Sequence, residues 1–326
     1  MANDGKFGGM VKWAEYTLLL IIIAFTGVLL PAFSYLTLVL MPLPVMFIII
    51  RYDLKYGLIS LVSAVLVLLF SFQQFRPELA LDPIQYGLIG IVLGLFFKKA
   101  EPPGRVLVFT VLIAVGLAVM ASGAAYLHNG ENPLVLSEDE RQALTQQWSA
   151  MNQQMRLMEE EELATVAPGG ETESFRYLTE VYQYYLPAQM IVTAAVTAAF
   201  TFILAIFLLG RYGFKVQPGL AFSEIYLPWY SIWGLIVGLG LLLLGDNFNE
   251  IIAKAGKNML FILVNLYFIM GLSVFVHFFK TIKLSPLLKG IIVVAMFCFY
   301  PFSCIFLLTI GAIDPLINFR RITALK

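Results

Sequence analysis

The chain has 326 residues, 60% of them hydrophobic and only 13% charged, and its 21 Lys and Arg balance 21 Asp and Glu. Soluble domains average roughly 45–50% apolar and about 25% charged residues, so composition excludes an ordinary water-soluble fold. The neutral balance offers no basic excess for nucleic acid, and a mean hydropathy of +0.85 makes the lipid bilayer the expected surroundings.

The first apolar run follows Lys6 and Lys12. No small-residue cleavage pattern closes it, and Pro31 leads into more apolar sequence, so it reads as a retained span rather than a removed signal. Crossing a bilayer takes about 20 apolar residues, with a range of about 17–25. On that rule the sequence predicts spans over residues 14–30, 33–50, 56–72, 83–97, 106–126, 186–209, 228–244, 258–279 and 290–310. The expected fold class is an all-α polytopic membrane protein of about nine transmembrane helices with an extracytoplasmic helical hairpin insert. The fourth span is short, since 83–97 reaches only about 22 Å at about 1.5 Å per residue.

The insert separates two membrane blocks, residues 1–127 and 185–326. Residues 128–184 hold eleven Asp or Glu against three Arg, a net of −8. Ser137 followed by Glu140 is a capping-box pattern. Leu144, Trp148, Met151, Met155 and Met158 then recur at helical spacing, and Pro168-Gly169-Gly170 ends that run. Phe175, Leu178, Tyr182 and Tyr185 start a second helix that runs into the sixth span. The stripe through Trp148, Met151 and Met155 packs on this second helix or on a substrate or partner.

Orientation follows the Lys and Arg near span ends. With the N-terminus in the cytoplasm, twelve of them, from Lys6 to Lys289, fall on the inner side. Short outer loops receive Arg76, Lys254 and Lys257, and residues 128–184 lie on the extracytoplasmic side. Nine full spans would leave Arg320, Arg321 and Lys326 outside, unless a re-entrant segment around Pro301 returns the tail inside.

Polar groups inside spans are scarce, which argues against a proton pump built on membrane carboxylates. Pro42 and Pro44 break the second span within the membrane, a marker of either a kink or a binding cavity. Ser34, Tyr35 and Thr37 lie outward of that break, and Gly90-x-x-x-Gly94 marks the fourth span. With Asn265 in the eighth span, Ser34, Tyr35, Thr37, Pro42, Pro44, Gly90 and Gly94 are the candidate ligand-binding residues. Ala194 with Ala198 and Gly234 with Gly238 are small-residue pairs suited to close helix packing or to docking a membrane subunit. Cys298 and Cys304 read as buried small apolar side chains. No G-x-S-x-G, H-E-x-x-H or Walker A pattern occurs, so neither an enzyme, a metal, a cofactor nor self-contained nucleotide hydrolysis is expected.

Two stretches carry a resemblance. YLPWYSIW, Asn265, Gly271 and the terminal LLTIGAIDPLINFRR, with Gly311, Asp314, Phe319 and Arg320, resemble the YybS-like bacterial integral membrane proteins of unknown function. The proline-broken second span, RYDLKYG at Arg51 to Gly57, and GLIGIVLG ahead of Lys98-Lys99 resemble the substrate-binding S-components of energy-coupling-factor transporters. The second resemblance implies a six-helix small-molecule binder, formed by the first six spans, that docks on a membrane coupling subunit. The insert would then lie over its ligand. The sequence therefore leads to a transporter-like binding or permeation component, with a non-transporting scaffold that recruits partners through the hairpin as the alternative.

Overall fold

A computed structural model describes residues 2–71, 77–129, 136, 141–142, 144–146, 148, 168–214, 217 and 221–320. Those residues are almost wholly helical and include no strand. The long elements are α1 (Ala2–Leu29), α2 (Ser34–Leu40), α3 (Pro42–Arg51), α4 (Leu54–Ser71), α5 (Leu81–Lys98) and α6 (Pro103–Asn129). After the insert come α7 (Pro168–Arg211), α8 (Ile232–Phe248), α9 (Glu250–Thr281), α10 (Pro286–Cys298) and α11 (Tyr300–Ile317). Among the described residues eight stretches are long and apolar enough to cross a membrane, and the apolar helices Trp229–Gly245 and Pro286–Cys298 are shorter. The chain is a helical membrane protein, and about nine spans fit it.

Four expectations are corrected. The span expected at 290–310 is two helices, because Phe299 leaves helical geometry (φ −109°, ψ 42°) between α10 and α11. Pro301 explains the break: it has no N–H to give and fits the first turn of a new helix better than the middle of an old one. Cys298 and Cys304 are exposed on the outward surfaces of these helices rather than buried. The fourth span is also longer than expected, 18 residues in α5. The second helix of the insert, expected from Phe175, already starts at Pro168 in α7, which spans 44 residues to Arg211 and contains Pro187.

The chain packs as two units. Residues 1–124 with 191–220 form unit 1, and residues 125–190 with 221–326 form unit 2. Unit 1 is built round α3, whose residues 42–49 are all buried. Its neighbours come close because they carry glycine where they face it. A side chain on Gly57 would strike Ile49, one on Gly90 would strike the Pro42 backbone, and one on Gly94 would lie 2.8 Å from Ile49. In lipid, where water no longer drives helices together, such small-residue contacts supply the dispersion energy of packing. Leu20, Ala24, Val106, Ala114, Ala198 and Phe202 complete the core from α1, α6 and α7. A polar node ties α1 to α4: Trp13 Nε1 donates to Ser60 Oγ at 2.9 Å, and Thr17 Oγ1 meets the same oxygen at 2.8 Å.

Unit 2 is built round α9. Asn249 caps it by accepting from the Ile251 N–H. Gly245, Gly238 and Gly234 of α8 face Ala253, Leu260 and Leu263 of α9. On its other side, Gly271 meets the Leu307 carbonyl of α11, and Gly311 meets the Tyr267 carbonyl and the Gly271 N–H. Backbone touches backbone at that crossing.

Candidate functional site

In unit 1 the broken helix is the feature with most chemical consequence. Pro42 and Pro44 cannot donate, so the Leu38 and Leu40 carbonyls lose their ladder partners. Thr201, fully buried on α7, reaches into this turn and donates from Oγ1 to the Val39 carbonyl at 3.0 Å. The sequence reading missed Thr201; a lone threonine in an apolar run carries no signal until its neighbour is known. Gly90 meets the Pro42 backbone at the break, and Gly94 meets Ile49 and the Met46 carbonyl further along α3, in direct contact rather than around an open space. Thr37 is buried, bonds the Ser34 carbonyl at 2.6 Å and packs on Gly27. Tyr35 is 71% exposed and points away.

The other end of unit 1 is polar. Lys98 Nζ lies 3.0 Å from Asp53 Oδ1 and 3.4 Å from the Tyr52 carbonyl. The Lys98 hydrogen bond, helped by the Leu54 N–H, holds the exposed Asp53 carboxyl below its ordinary pKa. Arg51 lies over three rings, with Cζ 5.5 Å from Tyr16, 5.8 Å from Phe214 and 6.0 Å from Tyr212. Ala100 holds a left-handed conformation (φ 54°) at the end of α5, and its carbonyl accepts from Gln217 Nε2 at 2.9 Å. Beside that turn is a cleft of about 40 Å³ lined by Ile50, Phe97, Glu101 and Phe214. Small-molecule sites run to roughly 300–1,000 Å³, so this cleft admits only a few atoms.

Unit 2 holds two polar arrangements. The Asn258 side chain is inserted into the backbone of α7: Oδ1 accepts from the Ala188 N–H at 2.9 Å, and Nδ2 donates to the Tyr184 carbonyl at 3.0 Å. Those two backbone groups would bond each other in an undisturbed helix. Pro187 weakens the ladder at this place, and the amide of Asn258 bridges it. Lys254 and Lys257 flank the Tyr184 ring at 5.5 and 4.9 Å. Asn265, the residue favoured from sequence, bonds only the Phe261 carbonyl of its own helix. Asn258 lies seven residues earlier on the same face and could have been found by extending that stripe.

The second arrangement gathers the terminal motif. Arg320 Nη2 meets Asp314 Oδ2 at 2.7 Å, with both side chains 5% exposed or less. Nη1 donates to Ser273 Oγ at 2.8 Å and to the Ser223 carbonyl at 3.0 Å. Ser273 Oγ in turn donates to the Phe222 carbonyl at 2.6 Å. Asn318, in the left-handed region (φ 51°), turns the chain at the end of α11 so that Arg320 can reach back. Gly311 makes the helix contact below, while Phe319 is partly exposed. A buried charge pair is costly to desolvate and demands hydrogen bonds around it; Nη1 and Nη2 of Arg320 have them, while Arg320 Nε and Asp314 Oδ1 are buried without a partner among the described residues.

The small-residue pairs face inward. Ala194 and Ala198 are buried in unit 1, and Gly234 and Gly238 pack on α9. Trp148 is helical and half-buried, whereas Ser137, Met151 and Met155 lie outside the described residues. No group of His, Cys, Asp and Glu suited to a metal ion occurs among the described residues.

A family model described as Predicted membrane protein (DUF2232) matches residues 18–315. No curated protein and no solved structure matches the chain. The match covers nearly the whole membrane part, and the chain belongs to that family.

Proposed function

We propose, with membership of this membrane family as the premise, that the chain is a transporter-like small-molecule binding or permeation component, described here in a closed state. The observation that carries this reading is the buried break at Pro42 and Pro44, where the Leu38 and Leu40 carbonyls lose their ladder partners and Thr201 of another helix bonds the Val39 carbonyl between them. Irregular backbone at membrane depth is tolerated where it is buried or lines a cavity, and broken helices of this kind form sites in transporters. In the closed state Gly90 and Gly94 seal against α3. Opening separates these faces and presents Thr37, Thr201 and the freed carbonyls to a ligand. The resemblance to S-components supports the same reading.

Screening the purified full chain by thermal shift and native mass spectrometry against small metabolites tests it. A retained metabolite whose binding is lost in Gly90→Leu supports the proposal; no ligand across a broad set counts against it. The scaffold reading is favoured by one observation, the glycine-mediated contacts that leave no gap at Pro42. Crosslinking from Trp148 distinguishes the two, since a scaffold captures one defined extracytoplasmic protein.

The proposed topology places the N-terminus in the bacterial cytoplasm, residues 128–184 outside, and the C-terminus inside. Arg320 is bonded to Ser223, ahead of α8, and to Ser273, about two turns before the inner end of α9. That contact, with the break at Phe299, supports α10 and α11 as an inward-returning pair, which brings Arg320 and Arg321 under the positive-inside rule. Cysteine labelling at Lys326 only from the outer side would reverse it.

A further inference from the structure

The geometry points to a binding site for the phosphate of an anionic phospholipid headgroup at the polar end of unit 1, centred on Arg51. Three chain segments meet there. The end of α3 supplies Arg51 and Lys55 follows it; the end of α5 supplies Lys98 and Lys99; the end of α7 supplies Arg211. Direct contacts hold the segments together: Lys98 to the Tyr52 carbonyl, Gln217 to the Ala100 carbonyl, and Arg51 over the rings of Tyr212 and Phe214.

Charge at this end is uneven. Lys98 is paired with Asp53 and Arg105 with Glu101. Arg51, Lys55, Lys99 and Arg211 have no carboxylate within ion-pair distance among the described residues. The positive-inside rule accounts for cations at a membrane face, but not for their convergence or for the way Arg51 is held. Aromatic rings cover the faces of a guanidinium and cannot accept its in-plane N–H bonds. They therefore orient the fork and leave its donors directed at solvent, the arrangement suited to bidentate phosphate recognition. Arg51 is exposed, so those donors are open. Span ends sit at headgroup depth, where a lipid phosphate is the most abundant anion.

The test is native mass spectrometry of the full chain released from nanodiscs of phosphatidylglycerol mixed with phosphatidylcholine. The wild type is expected to retain phosphatidylglycerol preferentially. Arg51→Gln should weaken that retention about fivefold, the size expected for one well-placed cation at a lipid surface. Arg51→Lys should lose part of it, because the charge remains and the planar fork does not. Arg105→Gln, whose cation is already paired with Glu101, should retain lipid like the wild type. Should Arg51→Gln fail to fold, Lys99→Gln and Arg211→Gln carry the same expectation. Equal retention in wild type and Arg51→Gln overturns the proposal, as does equal loss in Arg105→Gln. Displacement of the lipid by millimolar inorganic phosphate would assign the site to free phosphate and overturn the lipid assignment.

Discussion

The two units solve the problem of cohesion in lipid by different means. Unit 1 buries eight consecutive residues of α3, 42–49, none of them charged, and glycines on α4 and α5 bring the backbones up to them. Inside that core its polar bonds are few and reach single carbonyls or hydroxyls, as at Thr201 and Ser60, and its ion pairs lie at the exposed polar end. Unit 2 also uses glycine, at Gly271 and Gly311, but fixes its crossing with Asp314, Arg320, Ser273 and Ser223. Apolar contact is non-directional and can be remade after a shift, whereas a buried charge network has one satisfied geometry. The comparison assigns mobility to unit 1 and rigidity to unit 2, in keeping with the proposed binding role of the broken helix.

The largest expected effect tests the rigid unit. Asp314→Ala leaves the Arg320 guanidinium buried without its counter-ion and should destabilise the fold by about 3–5 kcal/mol. Thermal unfolding in detergent micelles measures it. Replacing both partners, as Asp314→Leu with Arg320→Met, should restore much of the loss, because no lone charge is then buried. Equal damage in the single and double variants would mean that the pair contributes no mutual stabilisation.

Gly311→Ala and Gly90→Ala each push a methyl group into facing backbone and should cost about 1–3 kcal/mol or more. Gly116→Ala is the control, since nothing lies within 4 Å of the added carbon. It should be neutral or gain up to about 1 kcal/mol from helix propensity. If the comparison between units holds, Gly90→Ala also abolishes ligand retention while Gly311→Ala affects stability alone.

What the sequence made legible follows from these same forces. Span positions were readable because hydrocarbon thickness imposes a length on any apolar run. The Pro42–Pro44 break was readable because proline lacks a donor wherever it stands. Gly311, Asp314 and Arg320 were visible as a motif, yet their pairing with Ser273 and Ser223 was not, since it joins segments about 50 and 100 residues apart. Asn258 was passed over for Asn265 because both read as polar residues in one span, and only the position of Pro187 on another helix decides between them. The break at Phe299 was hidden by an apolar run that continues through it.

Smaller effects sharpen the picture of unit 1. Thr201→Val removes the hydroxyl from the Val39 carbonyl and should cost about 0.6 kcal/mol, the usual size of an interhelical side-chain bond in a membrane. Urea-free unfolding by heat in micelles is sensitive enough when referred to Gly116→Ala. The smallest effect is at Asp53. Its folded-state pKa lies below the unfolded one, so the Lys98 contact is fully present above the ordinary aspartate range and disappears as pH falls through the lowered value. Asp53→Asn should therefore melt slightly earlier than wild type at neutral pH and no differently in strong acid.

The claim that unit 1 moves at its helix break while unit 2 stays fixed is tested most directly by hydrogen–deuterium exchange of the full chain in nanodiscs, read on peptides covering residues 34–51 and 300–317. The account predicts faster exchange around residues 38–43 than in the body of α11, and slowing of that exchange by any retained ligand. Equal protection of the two segments, unchanged by ligand, would contradict it.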